Sequence, residues 1–171
     1  MDAPLPIWLQ LSYRKVMASF LAPLARSRSW ECLHIVSPWI SDFDESAGMS
    51  FNQVLHRIVH DDTTVYLVTR PPVEEWHESA IERIAKTGKA NIVLVEDLHT
   101  KLYCARTAQG EFALLGSANL TSKALENREI GVLIRATGPG KPVVRELFVE
   151  AGQIYRTTNR VMKCSRTAWR R

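Results

Sequence analysis

Two pairs of polar residues in this sequence suggest a particular chemistry. His99 and Lys101 stand two positions apart, and Ser117 and Asn119 repeat that spacing further along the chain. One imidazole can attack phosphorus as a nucleophile, and a second can protonate the leaving oxygen. A lysine offsets the charge on the non-bridging oxygens, while serine and asparagine donate hydrogen bonds to them. Together the four side chains fit the chemistry of a phosphodiester.

A β-hairpin is needed to bring the two pairs together. The apolar segments 101–105 and 112–115 flank Thr107-Ala108-Gln109-Gly110, which is typical of a hairpin turn. His99 and Lys101 stand at the start of the first strand, where residues two apart point to one face. The second pair follows the end of the partner strand. The hairpin therefore predicts that all four side chains meet at one edge of a sheet.

Strands alternate with helices along most of the chain, which is typical of an α/β layered domain. We expect a mixed, mostly parallel central sheet flanked by helices on both faces, in a single domain covering residues 1–171. The predicted strands are 32–36, 65–69, 92–95, 101–105, 112–115 and 130–134. The predicted helices are 13–28, one carrying Phe51 to Ile58, 74–87 and a closing helix 143–162.

At this point the chain resembles a known family. His99-x-Lys101 followed by Gly116-Ser117-x-Asn119 looks like the signature of the phospholipase D superfamily. Ile35-Val36-Ser37-Pro38-Trp39-Ile40 is similar to its first core strand and loop, and Glu129-Ile130-Gly131-Val132 is similar to the acidic residue and strand after its turn. The resemblance covers a core of about residues 30–135, with the closing helix and basic tail at 141–171.

The resemblance implies a phospholipase D/nuclease-like fold and a two-fold symmetric site. In that family two such motifs face each other, and one histidine becomes phosphohistidine while the other acts as acid and then base. This chain has one motif, so it resembles the short, homodimeric members. By the same analogy, Glu129 orients the catalytic histidine. The chain departs from the family at Arg106, where an aspartate is usual.

Further residues are candidates for contact with the substrate. Ser37 and Trp39 are expected near the mouth of the site, where Trp39 either stacks on a base or packs in the core. Six of the 22 basic residues lie after Tyr155, in a stretch without acidic residues. The net charge of the whole chain is +4, so its positive charge is concentrated in this stretch. Such a cluster suits a nucleic acid backbone, or it is a solvated helix end. Its members are Arg156, Arg160, Lys163, Arg166, Arg170 and Arg171.

Other features narrow the class of protein. Three scattered cysteines without a CxxC pair indicate a reduced, cytoplasmic protein. The N-terminus lacks the pattern of a secretory signal, and no uncharged stretch reaches the ~20 residues of a membrane span. His60-Asp61-Asp62 is interpreted as a solvated turn, and we expect neither a metal ion nor a cofactor.

Three functions remain open. The first is a metal-independent phosphodiesterase, a homodimeric nuclease that hydrolyses DNA rather than RNA, in a phage-defence or restriction system. The second is a non-catalytic nucleic-acid-binding subunit of a multi-protein defence system, which the arginine at position 106 favours. The third is a phospholipid phosphodiesterase or transferase, which would need an amphipathic membrane helix that the sequence does not show.

Overall fold

Seven strands and five helices form the computed structural model, which describes residues 9–13, 15–45 and 48–157. Strand segments are short and rich in Val, Ile, Leu and aromatic residues, the types that fit a pleated, buried surface. The strands are β1 Leu9–Tyr13, β2 Trp30–Val36, β3 Thr64–Thr69, β4 Ala90–Leu94, β5 Leu102–Thr107, β6 Gly110–Gly116 and β7 Ile130–Arg135. The helices are α1 Val16–Arg26, α2 Phe51–His60, α3 Glu75–Ala85, α4 Ser122–Glu126 and α5 Gly140–Thr157.

The strands make one mixed sheet in the order β1-β7-β6-β5-β2-β3-β4. The prediction of a mostly parallel sheet was wrong. Only β2–β3 and β3–β4 pair in parallel, through the crossover helices α2 and α3. The pairs β2–β5, β5–β6, β6–β7 and β1–β7 are antiparallel. Parallel neighbours need a crossover connection between them. This chain instead forms a hairpin between β5 and β6, and β5 runs beside β2 in the opposite direction, so these pairs are antiparallel.

The path between β4 and β5 determines where the site lies. The parallel strands β2, β3 and β4 all end at the same edge of the sheet, and β4 is the outermost of them. The chain must then pass along that edge to begin β5 on the other side of β2. Residues 95–101, which include His99 and Lys101, form this connection. Crevices outside the carboxyl ends of parallel strands are common ligand sites in α/β folds.

Helices cover both faces of the sheet, as predicted. One face packs against α1 to α4 through a large apolar cluster that includes Phe20, Phe51 and Ile81. The opposite face packs against α5, where Ala151 meets Cys104 among the buried residues. Alternation along β5 serves both layers, because Tyr103 belongs to the first cluster and its neighbour Cys104 to the second.

Two elements differ from the sequence prediction at the N-terminal end. The segment Leu9–Tyr13 pairs with β7 as an edge strand that periodicity did not reveal. Helix α1 consequently begins at Val16, after Lys15 turns the backbone with φ of 45°.

Helix α3 ends near the predicted glycine, since Gly88 has φ of 70° and can adopt the left-handed conformation without strain.

The closing helix is described as far as Thr157. The predicted extension to residue 162 and the tail that follows it, including Arg160 and Lys163, lie outside the described residues. Across the described ranges, no helix combines the length and apolar character needed to cross a membrane. The single-domain assignment of residues 1–171 stays a prediction.

Candidate active site

Four connections meet at the carboxyl edge of the parallel strands. They follow β2, β3, β4 and β6 and carry Trp39, Arg70, His99 and Ser117 respectively. The hairpin register pairs Leu102 with Leu115, so the residues just before β5 stand opposite those just after β6. This pairing brings both predicted polar pairs to one edge.

His99 is exposed and its ring contacts an arginine that sequence analysis did not select. Arg70 Nη2 lies 3.1 Å from His99 Nε2 and 3.4 Å from Nδ1. Arg70 Nε also donates to the carbonyl of Leu98 at 2.8 Å, which holds the guanidinium against the loop. Its Cζ stands 5.5 Å from the centre of the Trp39 ring. Arg70 is therefore a second cation at the site beside Lys101.

A sequence signal for Arg70 existed. It follows the buried strand directly, within Thr69-Arg70-Pro71-Pro72, and parallel strands end at a common edge. The prolines mark the strand end but say nothing about which connection crosses the same edge later. Without the position of residues 95–101, nothing linked Arg70 to His99.

Lys101 is half-buried and folds back on its own loop. Its Nζ donates to the carbonyl oxygen of His99 at 2.8 Å. An ammonium group has three donors, so two stay available for an incoming anion. The contact fixes the shape of the His99–Lys101 segment and holds the charge at the sheet edge.

Ser117 is tied to Glu129 and to the start of β7. Its Oγ donates to Glu129 Oε2 and accepts from the backbone N–H of Ile130 at 3.1 Å. The backbone N–H of Ser117 donates to the Ile130 carbonyl at 2.9 Å. In this chain Glu129 is thus bonded to Ser117, and the orientation of a catalytic histidine by Glu129 remains a proposal.

The close approach of β6 and β7 requires a glycine at position 116, directly before Ser117. It stands opposite Gly131 in the register of β6 and β7. A Cβ added at Gly116 would lie 2.8 Å from the Cα of Gly131 and would also collide with the carbonyl oxygen of Ile130. A larger residue would push the two strands apart and displace the turn that carries Ser117 and Asn119.

Asn119 has an unused acceptor. Its Oδ1 is buried and has no hydrogen-bond partner among the described residues. The flanking residues Ala118 and Leu120 are buried and fix the turn. A buried polar atom without a partner is costly, and an amide can present either its oxygen or its nitrogen to a ligand. Asn119 is therefore suited to contact a bound molecule.

Ser37 joins two of the site's connections. It is fully buried, and its Oγ donates to the Trp39 carbonyl at 2.8 Å and accepts from the Leu120 N–H at 3.1 Å. The Tyr103 hydroxyl lies 3.2 Å from Ser37 Oγ and donates to the Ala118 carbonyl at 2.8 Å. Burial raises the pKa of Tyr103, so its hydroxyl keeps the proton that it donates. The structure places Ser37 behind the site rather than at its mouth.

Trp39 is half-buried, so it is neither a core residue nor fully free. Its ring centre lies 5.3 Å from that of His77 and 6.1 Å from that of Trp76. Trp39 lines an open cavity together with Asn119 and Glu129. The aromatic surface therefore adjoins the polar edge.

The remaining candidates lie elsewhere. Arg156 is exposed in the last turn of α5, where its Nε donates to the Gly152 carbonyl at 3.1 Å. Arg106 is bonded to Glu111 at 2.6 Å. Its Cζ stands 5.3 Å from the ring centre of Phe148 in α5. Arg106 thus has a structural partner of opposite charge.

The acidic residues near His60 have structural roles. Asp61 Oδ2 accepts from the Trp30 N–H at 3.0 Å and pairs with Arg57 Nη2 at 2.7 Å. Asp62 pairs with Lys89. Over the described ranges, no group of three or more histidine, cysteine or acidic side chains is arranged to hold a metal ion.

Comparison with known proteins shows similarity in structure alone. No family model matches the sequence, and no curated protein matches it. The chain is similar to Nuc of Salmonella typhimurium, a phospholipase D family member, with a TM-score of 0.60 and 15% identity over 85% of this chain and 91% of that one. It is similar to NucT of Helicobacter pylori, with a TM-score of 0.58 and 15% identity over 88% and 94% of the two chains. The chain therefore has the phospholipase D fold.

A third similar structure is larger. TrmBL2, an archaeal chromatin protein with a novel mode of DNA binding, matches with a TM-score of 0.56 and 11% identity. The match covers 91% of this chain and 54% of that chain, so this chain corresponds to about half of TrmBL2.

Proposed function

We propose that this protein is a metal-independent phosphodiesterase that hydrolyses nucleic acid, with DNA as its substrate. The observation that supports the proposal is the meeting of five groups at one sheet edge. They comprise an exposed imidazole, two cations and two hydrogen-bonding side chains: His99, Lys101, Arg70, Ser117 and Asn119. A phosphodiester needs a nucleophile beside it and donors on its oxygens, and this set supplies both.

The chemistry proceeds in two steps. The imidazole of His99 attacks phosphorus, forming a P–N bond as the bond to the leaving oxygen breaks, and a second imidazole donates a proton to that oxygen. Water then attacks the phosphohistidine, giving its proton to the second imidazole while the P–N bond breaks. Lys101 and Arg70 offset the charge on the non-bridging oxygens, with Arg70 able to bind two of them at once.

The second imidazole comes from a second copy of this chain. His99 is the described histidine at the sheet edge, and it is exposed, so a partner can approach it. An isologous interface across a two-fold axis would place the two His99 rings on the same phosphorus. The proposed enzyme is therefore a homodimer whose active site is shared by both subunits.

The test is DNA cleavage in excess EDTA. End-labelled single-stranded and double-stranded DNA is incubated with the wild type and with His99→Ala, and the products are separated on a gel. We expect the wild type to cleave with EDTA present and His99→Ala to lose cleavage by at least about 1000-fold, because the nucleophile is missing. His56→Ala, on the exposed surface of α2, is the matched control and should cleave like the wild type. Loss of wild-type cleavage in EDTA would contradict metal independence.

A non-catalytic DNA-binding protein is the second candidate. The observation in its favour is Arg106, which stands where the resembling family has an aspartate and is already paired with Glu111. The similar fold of TrmBL2, a DNA-binding chromatin protein, agrees with such a role. DNA binding without turnover in both the wild type and His99→Ala would support this candidate.

A further inference from the structure

An open cavity of about 810 Å³ adjoins the proposed catalytic edge. One wall is aromatic and consists of Trp39 and Trp76. Asn119 belongs both to the cavity lining and to the proposed catalytic groups. Although Trp76 belongs to α3, 45% of its surface is exposed. An apolar ring of this size left open to solvent beside a reaction site commonly serves a ligand.

Charge is divided between the edge and the cavity. The cationic groups Lys101 and Arg70 stand with His99 at the edge. The cavity lining contains three carboxylates, which are Asp42, Glu74 and Glu129, and one ammonium group, that of Lys123. Its other polar groups, including Asn127, are neutral. Because carboxylates outnumber cations in the cavity lining, a phosphate is attracted to the edge more strongly than to the cavity, whereas a neutral, hydrogen-bonding group suits the cavity.

Arg70 marks the boundary between the two regions. Its guanidinium contacts His99 on one side and lies 5.5 Å from the ring centre of Trp39 on the other. A molecule with phosphate bound at His99 would therefore carry its next group onto the aromatic wall. A nucleotide has this form, since its phosphate is charged and its base is flat and uncharged.

We infer that the cavity is a nucleobase subsite that binds an unpaired base of single-stranded nucleic acid against Trp39 and Trp76. This inference rests on the proposed function and names the substrate class of the same site. A base inside a duplex is stacked on both faces, so only an unpaired or extruded base can reach a protein ring. The rim hydroxyls and amides, such as Ser79 and Asn127, can exchange hydrogen bonds with the base edge.

A lipid headgroup fits the cavity less well. Quaternary ammonium groups bind in cages whose aromatic faces enclose the cation. Here the Trp39 and Trp76 rings contact each other, with centres 6.1 Å apart and planes at 52°, so no cation fits between them. The two rings are tilted and touch each other, so a flat ligand can stack on the exposed Trp76 ring and lie beside Trp39.

The test compares oligonucleotides with and without bases. Fluorescent single-stranded DNA, and an abasic strand of the same length and charge, are titrated into full-length protein carrying His99→Ala to prevent turnover. We expect the abasic strand to bind at least about fivefold more weakly, since it keeps the phosphate contacts but loses stacking. Adding Trp76→Ala should weaken binding of the base-bearing strand at least about fivefold and leave the abasic strand unchanged. Trp76→Phe should restore most of the loss.

Val73→Ala is the control variant. Val73 is 82% exposed, lies three residues before Trp76 and does not line the cavity, so its loss should change neither affinity. Equal affinity for both strands in the His99→Ala protein would overturn the inference. An equal loss for both strands in Trp76→Ala would do the same, as would displacement of the base-bearing strand by choline, which has a quaternary ammonium group but no phosphate.

The outcomes also separate this inference from the proposed function. DNA cleavage in EDTA by the wild type, together with equal binding of both strands, would overturn the base subsite and leave the phosphodiesterase standing. If neither strand binds at any concentration tested, the subsite and the nucleic acid substrate are both wrong.

Discussion

At the scale of single residues, the two cations of the site approach His99 in different ways. Lys101 bonds to the backbone carbonyl of His99 and leaves the ring free. Arg70 contacts both ring nitrogens and is anchored to the Leu98 carbonyl at 2.8 Å. The ring and a bound phosphate would therefore compete for the same guanidinium. This arrangement gives Arg70 a role that the His-x-Lys spacing does not reveal.

We predict that Arg70→Ala lowers kcat/KM for DNA by at least about tenfold, because a hydrogen bond to a charged group contributes about 1.5–3 kcal/mol. Arg70→Lys should recover part of the loss, since it keeps the charge but not the planar fork. Steady-state cleavage kinetics provide the measurement. Arg145→Ala removes an equal charge from an exposed position of α5 and is the control. An equal decrease in both alanine variants would mean that only net charge matters.

At the scale of elements, the site depends on a brace between two connections. Ser37 follows β2, and its hydroxyl bonds to the turn after β6 through the Leu120 N–H at 3.1 Å. Tyr103, in β5 between these strands, bonds to the same turn through the Ala118 carbonyl at 2.8 Å. Both side chains are buried. The brace fixes the Ser117–Asn119 turn relative to the loop that carries Trp39.

We predict that Tyr103→Phe lowers the free energy of unfolding by about 1–3 kcal/mol, because it leaves the buried carbonyl of Ala118 without its donor. It should also lower DNA cleavage, since the turn carrying Asn119 loses its anchor. Urea denaturation and cleavage assays measure the two effects. Tyr66→Phe removes a hydroxyl from β3 on the other face of the sheet and is the matched control. Full activity in Tyr103→Phe would show that the brace does not position the turn.

At the scale of the whole molecule, the proposed site is complete only in a dimer. A dimer with one altered His99 would lack either the nucleophile or the acid and should be inactive. Wild type and His99→Ala are unfolded together in urea at equal concentration, refolded and assayed. We predict that activity per wild-type subunit falls to about half, since half of the wild-type subunits then have an altered partner. Mixing with His56→Ala, which is itself active, should leave the activity per total subunit unchanged. Unchanged activity per wild-type subunit in the mixture with His99→Ala would rule out a shared site.

Acid sensitivity is a second property of the whole fold. Burial lowers the pKa of His34 and of His77 from 6.5 to about 4, with Arg106 also acting on His34. In the unfolded chain both histidines become protonated below about pH 6.5, whereas in the folded chain they stay neutral down to about pH 4. Protonation therefore stabilises the unfolded state relative to the folded state. The free energy of unfolding should fall as the pH drops from about 6.5 to about 4, and below that range these two histidines should cause no further loss.

Urea denaturation at steps between pH 7 and pH 4 measures this effect. We predict a smaller decrease in the free energy of unfolding for His34→Gln than for the wild type, because the variant has one group fewer to protonate. The His34 and Tyr66 rings are stacked with their centres 4.7 Å apart, so the substitution also changes stability at every pH. The slope of the unfolding free energy against pH is therefore the quantity to compare. An identical slope would mean that His34 does not contribute.

The sequence by itself determined the local parts of this protein. The periodicity of residues 101–115 and the turn between them predicted the β5–β6 hairpin, and the spacing of two polar pairs predicted which side chains meet at its edge. These features depend on residues close together in the chain. The resemblance of His99-x-Lys101 and Gly116-Ser117-x-Asn119 to the phospholipase D superfamily agreed with the fold.

The tertiary structure alone decided how distant segments combine. Periodicity indicates that a segment is a strand but not which neighbour it pairs with or in which direction, so the mostly antiparallel sheet and the edge strand Leu9–Tyr13 were not foreseen. The same limit applies to the contact of Arg70 with His99, 29 positions apart, and to the bond between Ser37 and Leu120, 83 positions apart. Such contacts form because the chain crosses the sheet edge between β4 and β5. No local property of either residue encodes that crossing.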